Sequence, residues 1–435
     1  MVKLTRRPEL IVTTTPTSRL PLQLLVIAAS LFVVWTGFGA ILPYLPVFLQ
    51  EEGHASVALI GLVAAAYYVG VVGFSSLFGL ASDRFGRKPL LILGACLYLT
   101  ATLLFITTTR PGWFVLFRFL EGMGAAAIYP AGIGFIADIT DQSNRSRAFG
   151  WLTTAQFAGL VLGPALAVPL YQLGGGQGKW AFYSIFLFGS ALTAVVVVAM
   201  AAVLREPVRT VRHPAREIQA RPSFRVLAGR PVLYFLVLAA SFNFASGAFE
   251  VIWSLWLRHL GASMAFVGAT WVAFSLPMLL AFVGGRLADR YSRFWLVFIG
   301  FGLSTLCWMA YGTLDVLPLL LVFNVVEGLC VALSFPAKTA FLVQVAPPPW
   351  IGAVQGMEHA SGQLAALVGT LVAPLVYQHV GGRVLAYAGS IALVGLLAVS
   401  PGLYGTWRSA TREHAMAAAE TDGAPASVEL VEGEG

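Results

Sequence analysis

Charge is the scarcest property of this 435-residue chain: 11% of its residues are Asp, Glu, Lys or Arg, against 58% that are hydrophobic. Soluble domains carry about a quarter charged residues, so the composition excludes a soluble globular protein and leaves an integral membrane protein. Cysteine is nearly absent as well. Cys96, Cys307 and Cys330 all fall within apolar runs and are odd in number, which argues against a disulfide framework. No G-x-x-x-x-G-K-[ST] loop, no H-E-x-x-H pair and no soluble domain is present, so neither ATP-driven pumping nor metalloprotease chemistry has support. The chain reads as a non-enzyme with no catalytic residues, no cofactor and no metal. Its net charge of +7 would suit nucleic acid, but the basic residues are distributed as membrane topology requires, and no nucleic-acid partner is expected.

What the chain does have is long apolar runs. The first follows Lys3, Arg6, Arg7 and Arg19, is too long for a signal-peptide core and precedes no small-residue cleavage site, so it reads as an uncleaved span. Runs long enough to cross about 30 Å of hydrocarbon recur at 21–49, 57–80, 89–108, 112–137, 148–171 and 182–204, then at 231–257, 263–284, 294–312, 317–343, 351–376 and 384–404. The fold class expected is all-α integral membrane, with twelve transmembrane helices in two six-helix bundles around a central cavity. Residues 1–204 form the first bundle, 205–230 a basic linker, 231–410 the second bundle and 411–435 a disordered tail. With both termini cytoplasmic, the inner segments hold 21 Lys and Arg, while Arg110, Lys179, Arg258 and Arg383 alone lie outside. That asymmetry sets the orientation in the cell membrane.

The loop after the second run, Gly79-Leu-Ala-Ser-Asp83-Arg84-Phe-Gly86-Arg87-Lys88, has a near-copy 206 positions later, Gly285-Arg-Leu-Ala-Asp289-Arg290-Tyr-Ser292-Arg293. The same offset relates Phe117-Arg118-Phe-Leu-Glu121-Gly122 to Phe323-Asn324-Val-Val-Glu327-Gly328, and Tyr129-Pro130-Ala131 to Phe335-Pro336-Ala337. The chain is a duplication of two parallel repeats, with a substrate path expected between them. In the loop, Asp83 can meet the positive end of a neighbouring helix while Arg84, Arg87 and Lys88 reach acidic or carbonyl partners, which makes a conformational latch.

Charged residues inside apolar spans are costly and mark function. They are Arg118, Glu121, Glu250, Glu327, Lys338 and Glu358. Arg118 and Glu121, three apart on a helix, can compensate each other, whereas Glu327 has Asn324 at the corresponding place and lacks a local cation, which suits it to carry a proton. Lys338 lies as far before one turn as Glu358 lies after it, so these two can pair. Asn243, Gly247, Glu250 and Ser254 share a face of the seventh span that should line the cavity, with Glu250 facing substrate. Tyr129, Gln156, Trp253, Trp271 and Asn324 are further cavity candidates, and the Gly159, Gly163 stripe with Pro164 suits close helix packing and a bend.

These residues together resemble the major facilitator superfamily over nearly the whole chain. Gly79, Asp83, Arg84, Gly86, Arg87 and Lys88 match that superfamily's signature between helices 2 and 3, and Arg118-x-x-Glu121-Gly122-x-Gly124 resembles the helix 4 motif of proton-coupled members. Ala137-Asp138-Ile139 with Arg145 and Arg147, followed by Gly159-x-x-x-Gly163-Pro164, is similar to the twelve-helix drug:proton antiporter group. The resemblance implies a latch onto the start of helix 11, to which Asp138, Arg147, Asp289, Arg290 and Arg293 contribute, and proton-coupled efflux of amphipathic small molecules by a monomer in the lipid bilayer. Proton-coupled nutrient uptake, or flipping of a lipid-like molecule, is the alternative; a non-transporting sensor or scaffold is the third reading.

Overall fold

A computed structural model of the chain describes residues 20–140, 142–207, 229–347 and 350–421. Most of the expected linker, at 208–228, and the tail from 422 onward lie outside the described residues. Twelve helices follow one another: α1 (Leu20–Ile41, prolonged by a short helix Leu45–Glu51), α2 (Val57–Phe85), α3 (Arg87–Leu104), α4 (Pro111–Ile139), α5 (Gln142–Leu173), α6 (Gly178–Val203), α7 (Arg230–His259), α8 (Met264–Ser275, a 3-10 turn Leu276–Leu280, then Ala281–Arg290), α9 (Arg293–Tyr311), α10 (Leu317–Val345), α11 (Ile351–Val380) and α12 (Arg383–Thr421). Among the described residues, twelve helical stretches are long and apolar enough to cross a membrane, and there is no strand. This is an all-α, multi-pass membrane protein.

Local sequence sets the interruptions. Pro43 lies in the break in α1 and Pro46 in the first turn of the helix after it, and Pro277 lies at the start of the 3-10 turn of α8, because proline removes a backbone donor and clashes with the preceding turn. Helix α5 nevertheless stays helical through Pro164 and Pro169. Serine hydroxyls cap three helices: Ser56 accepts from Leu59 N, Ser263 from Phe266 N and Ser292 from Trp295 N. Helix α12 runs on to Thr421, past the 411 boundary expected for the tail, and its last turns are rich in alanine, the strongest helix former.

Small residues draw the helices together within each bundle. A side chain at Gly159 or Gly163 would strike the α1 backbone, and one at Gly122 would strike that of Tyr67 in α2, so both expected glycine contacts are packing contacts. Between bundles, α2 crosses α11 and α5 crosses α8. The 206-residue offset maps α2 onto α8 and α5 onto α11, so the two crossings are copies of one another.

The buried core shows how the bundles are joined. One apolar cluster draws residues from both bundles, among them Tyr44, Phe48, Phe114, Phe182, Trp253, Val267, Tyr311 and Ala373, all toward the end remote from the basic loops. At the basic end the core is split into one cluster confined to the first bundle, Ile27 to Leu204, and another confined to the second, Val232 to Leu403. The bundles are fused at the far end and parted at the basic end. Polar bonds add to the far seal: Arg258 pairs with Glu51 at 2.7 Å, and the Tyr44 hydroxyl donates to Met264 O at 3.3 Å.

Candidate functional site

The charged residues within the spans form two layers. Arg118 and Glu121 lie near the Pro111 end of α4, Glu250 near the His259 end of α7 and Glu327 near the Leu317 end of α10. All four are thus about two to three helical turns from the far end. Lys338 and Glu358 lie near the turn between α10 and α11, toward the basic end.

In the upper layer the sequence-expected neighbours meet, and a third group joins them. Arg118 Nη1 donates to Glu121 Oε2 at 2.8 Å, with both side chains buried. Its Nη2 donates to Glu250 Oε1 at 3.3 Å, across the boundary between bundles. The Tyr68 hydroxyl donates to Glu250 Oε2 at 2.6 Å, again from the opposite bundle, and the guanidinium lies 4.7 Å from the Tyr67 ring centroid. The place of Tyr67 and Tyr68 on α2 beside α4 makes them partners of the ion cluster.

Among the described residues, no cation bonds to Glu327. Trp308 Nε1 donates to its Oε1 and the Tyr311 hydroxyl to its Oε2, each at 2.7 Å. Under the 206 offset these donors occupy the places of Thr102 and Phe105, while Arg118 is matched by Asn324. The second repeat has therefore exchanged a charged partner for two neutral ones. That exchange was legible in the offset, had it been followed onto α9.

In the lower layer, Lys338 Nζ donates to Glu358 Oε1 at 2.5 Å, the pairing expected from their symmetric placement about the turn. His359, beside it, stacks on Tyr129 of the other bundle, with ring centroids 6.0 Å apart.

Two adjoining volumes with shared lining residues meet these layers. An inner cavity of about 270 Å³ is lined by both Glu250 and Glu327, by Asn243, Trp271 and Lys338, and otherwise mainly by Phe, Leu and Met side chains. A vestibule of about 820 Å³ lies toward the basic end, where Glu358, His359, Tyr129 and Arg293 line it, and it shares Lys338, Phe335, Val331 and Met278 with the inner cavity. Gln156 and Tyr129 also face a small recess of the first bundle.

Two cavity candidates lie elsewhere. Trp253 is fully buried, donates to Thr270 Oγ1 at 3.0 Å and stacks on Phe249, because its side of α7 faces α8 rather than the central space. Asn324 is fully buried and turns its amide back onto Leu320 O, so it packs inside the second bundle. On the same α7 face, Gly247 packs on α11 and Ser254 is buried, leaving Asn243 and Glu250 to reach the cavity.

The loop motif closes on its own bundle. Arg87 pairs with Asp83 at 2.7 Å and with Asp138 at 3.1 Å and donates to Ser82 Oγ, while Lys88 Nζ donates to Ala201 O. Gly86 takes φ +114°, a conformation side chains avoid, and a Cβ there would meet the Glu206 carboxylate, which accepts from the N–H groups of Arg87 and Lys88. Exposed Arg84 lies over the Phe85 ring. Gly79 lies against Pro130. In the second copy Ser292 has φ −58° and caps α9 with its hydroxyl, so no glycine is required there, and Arg293 reaches Gln344 at the place corresponding to Asp138. Asp289 and Arg290 are exposed at the end of α8. Arg147 falls in α5 but its side chain is outside those described. The start of α11, the expected partner of Asp83, takes part in none of the motif's bonds among the described residues.

Two duplicated six-helix bundles that meet over a charged central cavity are the architecture of a membrane carrier. Residues 27–255 and 241–430 match the Major Facilitator Superfamily, and the chain belongs to that superfamily. It is 30% identical over 240 residues to multidrug resistance protein 2 of Bacillus subtilis, a stretch covering 54% of this chain and 58% of that relative. It is 25% identical over 359 residues to multidrug resistance protein 1 of the same organism, covering 82% and 88%. The crystal structure of a D-xylose-proton symporter superposes with a TM-score of 0.71 at 15% identity, covering 86% of this chain and 96% of that one.

Proposed function

We propose that this chain is a secondary active transporter of the cell membrane that exports amphipathic, cationic or neutral small molecules in exchange for protons, by alternating access and as a monomer. The observation that carries this reading is the pair Glu250 and Glu327, set at one depth and facing one aromatic-lined cavity. Within the apolar runs, four carboxylates (Glu121, Glu250, Glu327 and Glu358) stand against two cations, Arg118 and Lys338. A low-dielectric site does not hold two surplus negative charges cheaply. Protons or a cationic substrate would neutralise them, and competition between the two for the same carboxylates is what antiport needs.

Both termini and the basic loops face the cytoplasm in this reading, as the distribution of Lys and Arg favours. The fused core at the far end and the parted cores at the basic end then describe an inward-open state. The latch would be open in that state, which agrees with Asp83 and Arg87 bonding, among the described residues, only to their own bundle. We place the bundles at 1–204 and 231–410, joined by the basic linker at 205–230. The names of the two Bacillus relatives agree with efflux rather than uptake.

The test is transport in inverted vesicles acidified inside, using a fluorescent lipophilic cation. Export predicts accumulation that collapses when a protonophore removes the pH gradient. Accumulation indifferent to the gradient would reject the antiport reading.

A further inference from the structure

The two repeats differ at one corner of the basic end. There α7, α10 and α12 border an open groove of about 550 Å³, lined chiefly by Arg230, Tyr234, Gln344, Gly402, Thr406 and Ser409. Under the 206 offset the same places in the first bundle are Leu24, Ala28, Asp138, Val196, Met200 and Val203, all apolar but Asp138. Val196 and Met200 are buried in that bundle's core, with Leu24 and Ala28 packed against it. One repeat thus closes this corner with hydrocarbon, and the other keeps it open and lines it with polar groups. Gly402 contributes to the opening, because a side chain there would strike the Tyr234 ring, and a Cβ at Gly405 would meet only empty space.

The polar groups suit an anion. Among the described residues no carboxylate lines the groove, and the exposed Arg230 guanidinium has neither ion pair nor hydrogen bond. Gln344 Oε1 accepts from Arg293 Nη1 at 2.8 Å, which turns its Nε2 away from Arg293 and leaves two N–H donors unused. The charge on Arg293 polarises those donors through the amide. Exposed Arg408 and Arg412 follow on α12 and add potential of the same sign.

Depth is a second and independent observation. At 1.5 Å per residue, Gly402 lies about 29 Å and Ser409 about 39 Å along α12 from its first residue, Arg383. A hydrocarbon core is about 30 Å thick, so the groove runs from the core's edge into the headgroup layer. Tyr404 stands at the same level, with its ring centroid 6.5 Å from that of Trp295 and 5.8 Å from that of Trp407. Clusters of Trp and Tyr mark that boundary.

We infer that this groove holds the phosphate of an anionic phospholipid from the leaflet at the basic end. Arg230 and the Gln344 amide donate to the phosphate, and the space beside Gly405 admits the glycerol. A soluble phosphate monoester offers the same anion, but it has no chains to anchor it at this depth. The site stands apart from the central cavity and shares only Gln344 with the vestibule lining.

The test is native mass spectrometry of the full chain in detergent, titrated with dioleoyl phosphatidylglycerol or dioleoyl phosphatidylcholine. Phosphatidylglycerol should bind at the lower concentration. Arg230→Gln should weaken its binding about tenfold, the scale of one charge-assisted hydrogen bond, and change phosphatidylcholine little. Arg408→Gln removes an equal charge outside the groove and should cost clearly less. Gly405→Leu, which fills the space without altering charge, should also weaken phosphatidylglycerol. Equal binding of the two lipids, or equal losses from Arg230→Gln and Arg408→Gln, would reduce the effect to diffuse attraction and overturn the site. Displacement of phosphatidylglycerol by an equal concentration of glycerol 1-phosphate would overturn the lipid assignment. None of these variants alters Glu250 or Glu327, so the transport reading stands or falls separately.

Discussion

Arg118 and Glu250 belong to different bundles, yet guanidinium and carboxylate meet at 3.3 Å inside the protein. With the Tyr68 hydroxyl on the same carboxylate, this contact ties the bundles together at the depth of the cavity. Under the proposed function Glu250 would both bind substrate and join the two bundles, which would couple occupancy to motion. A cation or proton that took over Glu250 would weaken its hold on Arg118 and free the two bundles to rock.

That geometry makes Arg118 a stability determinant. Removing one partner of a buried ion cluster leaves uncompensated charge and costs about 3–5 kcal/mol. Arg118→Ala should therefore lower the melting temperature sharply, and adding Glu121→Ala to it should recover part of the loss. Thermal melts in detergent decide the matter. An unshifted midpoint in the single variant would show that the cluster is not held by charge.

The pair at the far end should behave differently. Glu51 and Arg258 are each about one-third exposed, and such pairs contribute only about 0.2–1 kcal/mol. Glu51→Gln should raise the population of molecules open at the far end by no more than about fivefold, and exchanging the two residues should restore it. Distances between spin labels on α1 and α7 report the population. A protein locked or unfolded by Glu51→Gln would show that this contact carries far more than a surface pair can.

The sequence made the neighbours within one repeat legible and left those across the cavity unread. Arg118 with Glu121 follows from helical spacing, and Lys338 with Glu358 from their symmetry about a turn. Arg118 with Glu250 spans 132 positions and two bundles, and no periodicity encodes it. Trp253 and Asn324 fall outside the cavity lining for a related reason. A cavity wall and a packing face differ by a small rotation of the helix, which neighbouring helices set and apolar patterning does not. The duplication was the most informative signal, since it carried Arg87 with Asp138 onto Arg293 with Gln344 and Glu121 onto Glu327.

Asp83 tests the latch. In this state it is exposed and pairs with Arg87 one turn away, so Asp83→Asn should change stability by less than about 1 kcal/mol. Its proposed work lies in the other state, where the carboxylate would meet the start of α11. Flux in proteoliposomes should then fall strongly while surface labelling stays near the wild-type level. Normal flux in this variant sinks the latch.

Glu327 is the residue expected to carry the proton, and its surroundings supply the argument. Its repeat counterpart, Glu121, has a guanidinium at 2.8 Å, whereas Glu327 is held by an indole and a phenol. Two neutral donors satisfy the ionised carboxylate. The phenol can also turn to accept from the protonated acid, since a hydroxyl both donates and accepts. The site thus tolerates both forms without rearranging a cation, and it opens onto the cavity where a substrate would arrive. Glu327→Gln mimics the protonated form permanently. It should keep substrate binding and exchange that does not depend on pH, yet lose uphill transport driven by a proton gradient. Glu250→Gln should instead weaken the binding of cationic substrates most. Tyr311→Phe, which removes the reversible partner, should slow gradient-driven transport without abolishing it. The measurement is concentrative flux beside equilibrium exchange in the same proteoliposomes. If Glu327→Gln still drives uphill transport from a pH gradient, the proton travels on Glu250, Glu121 or Glu358 instead.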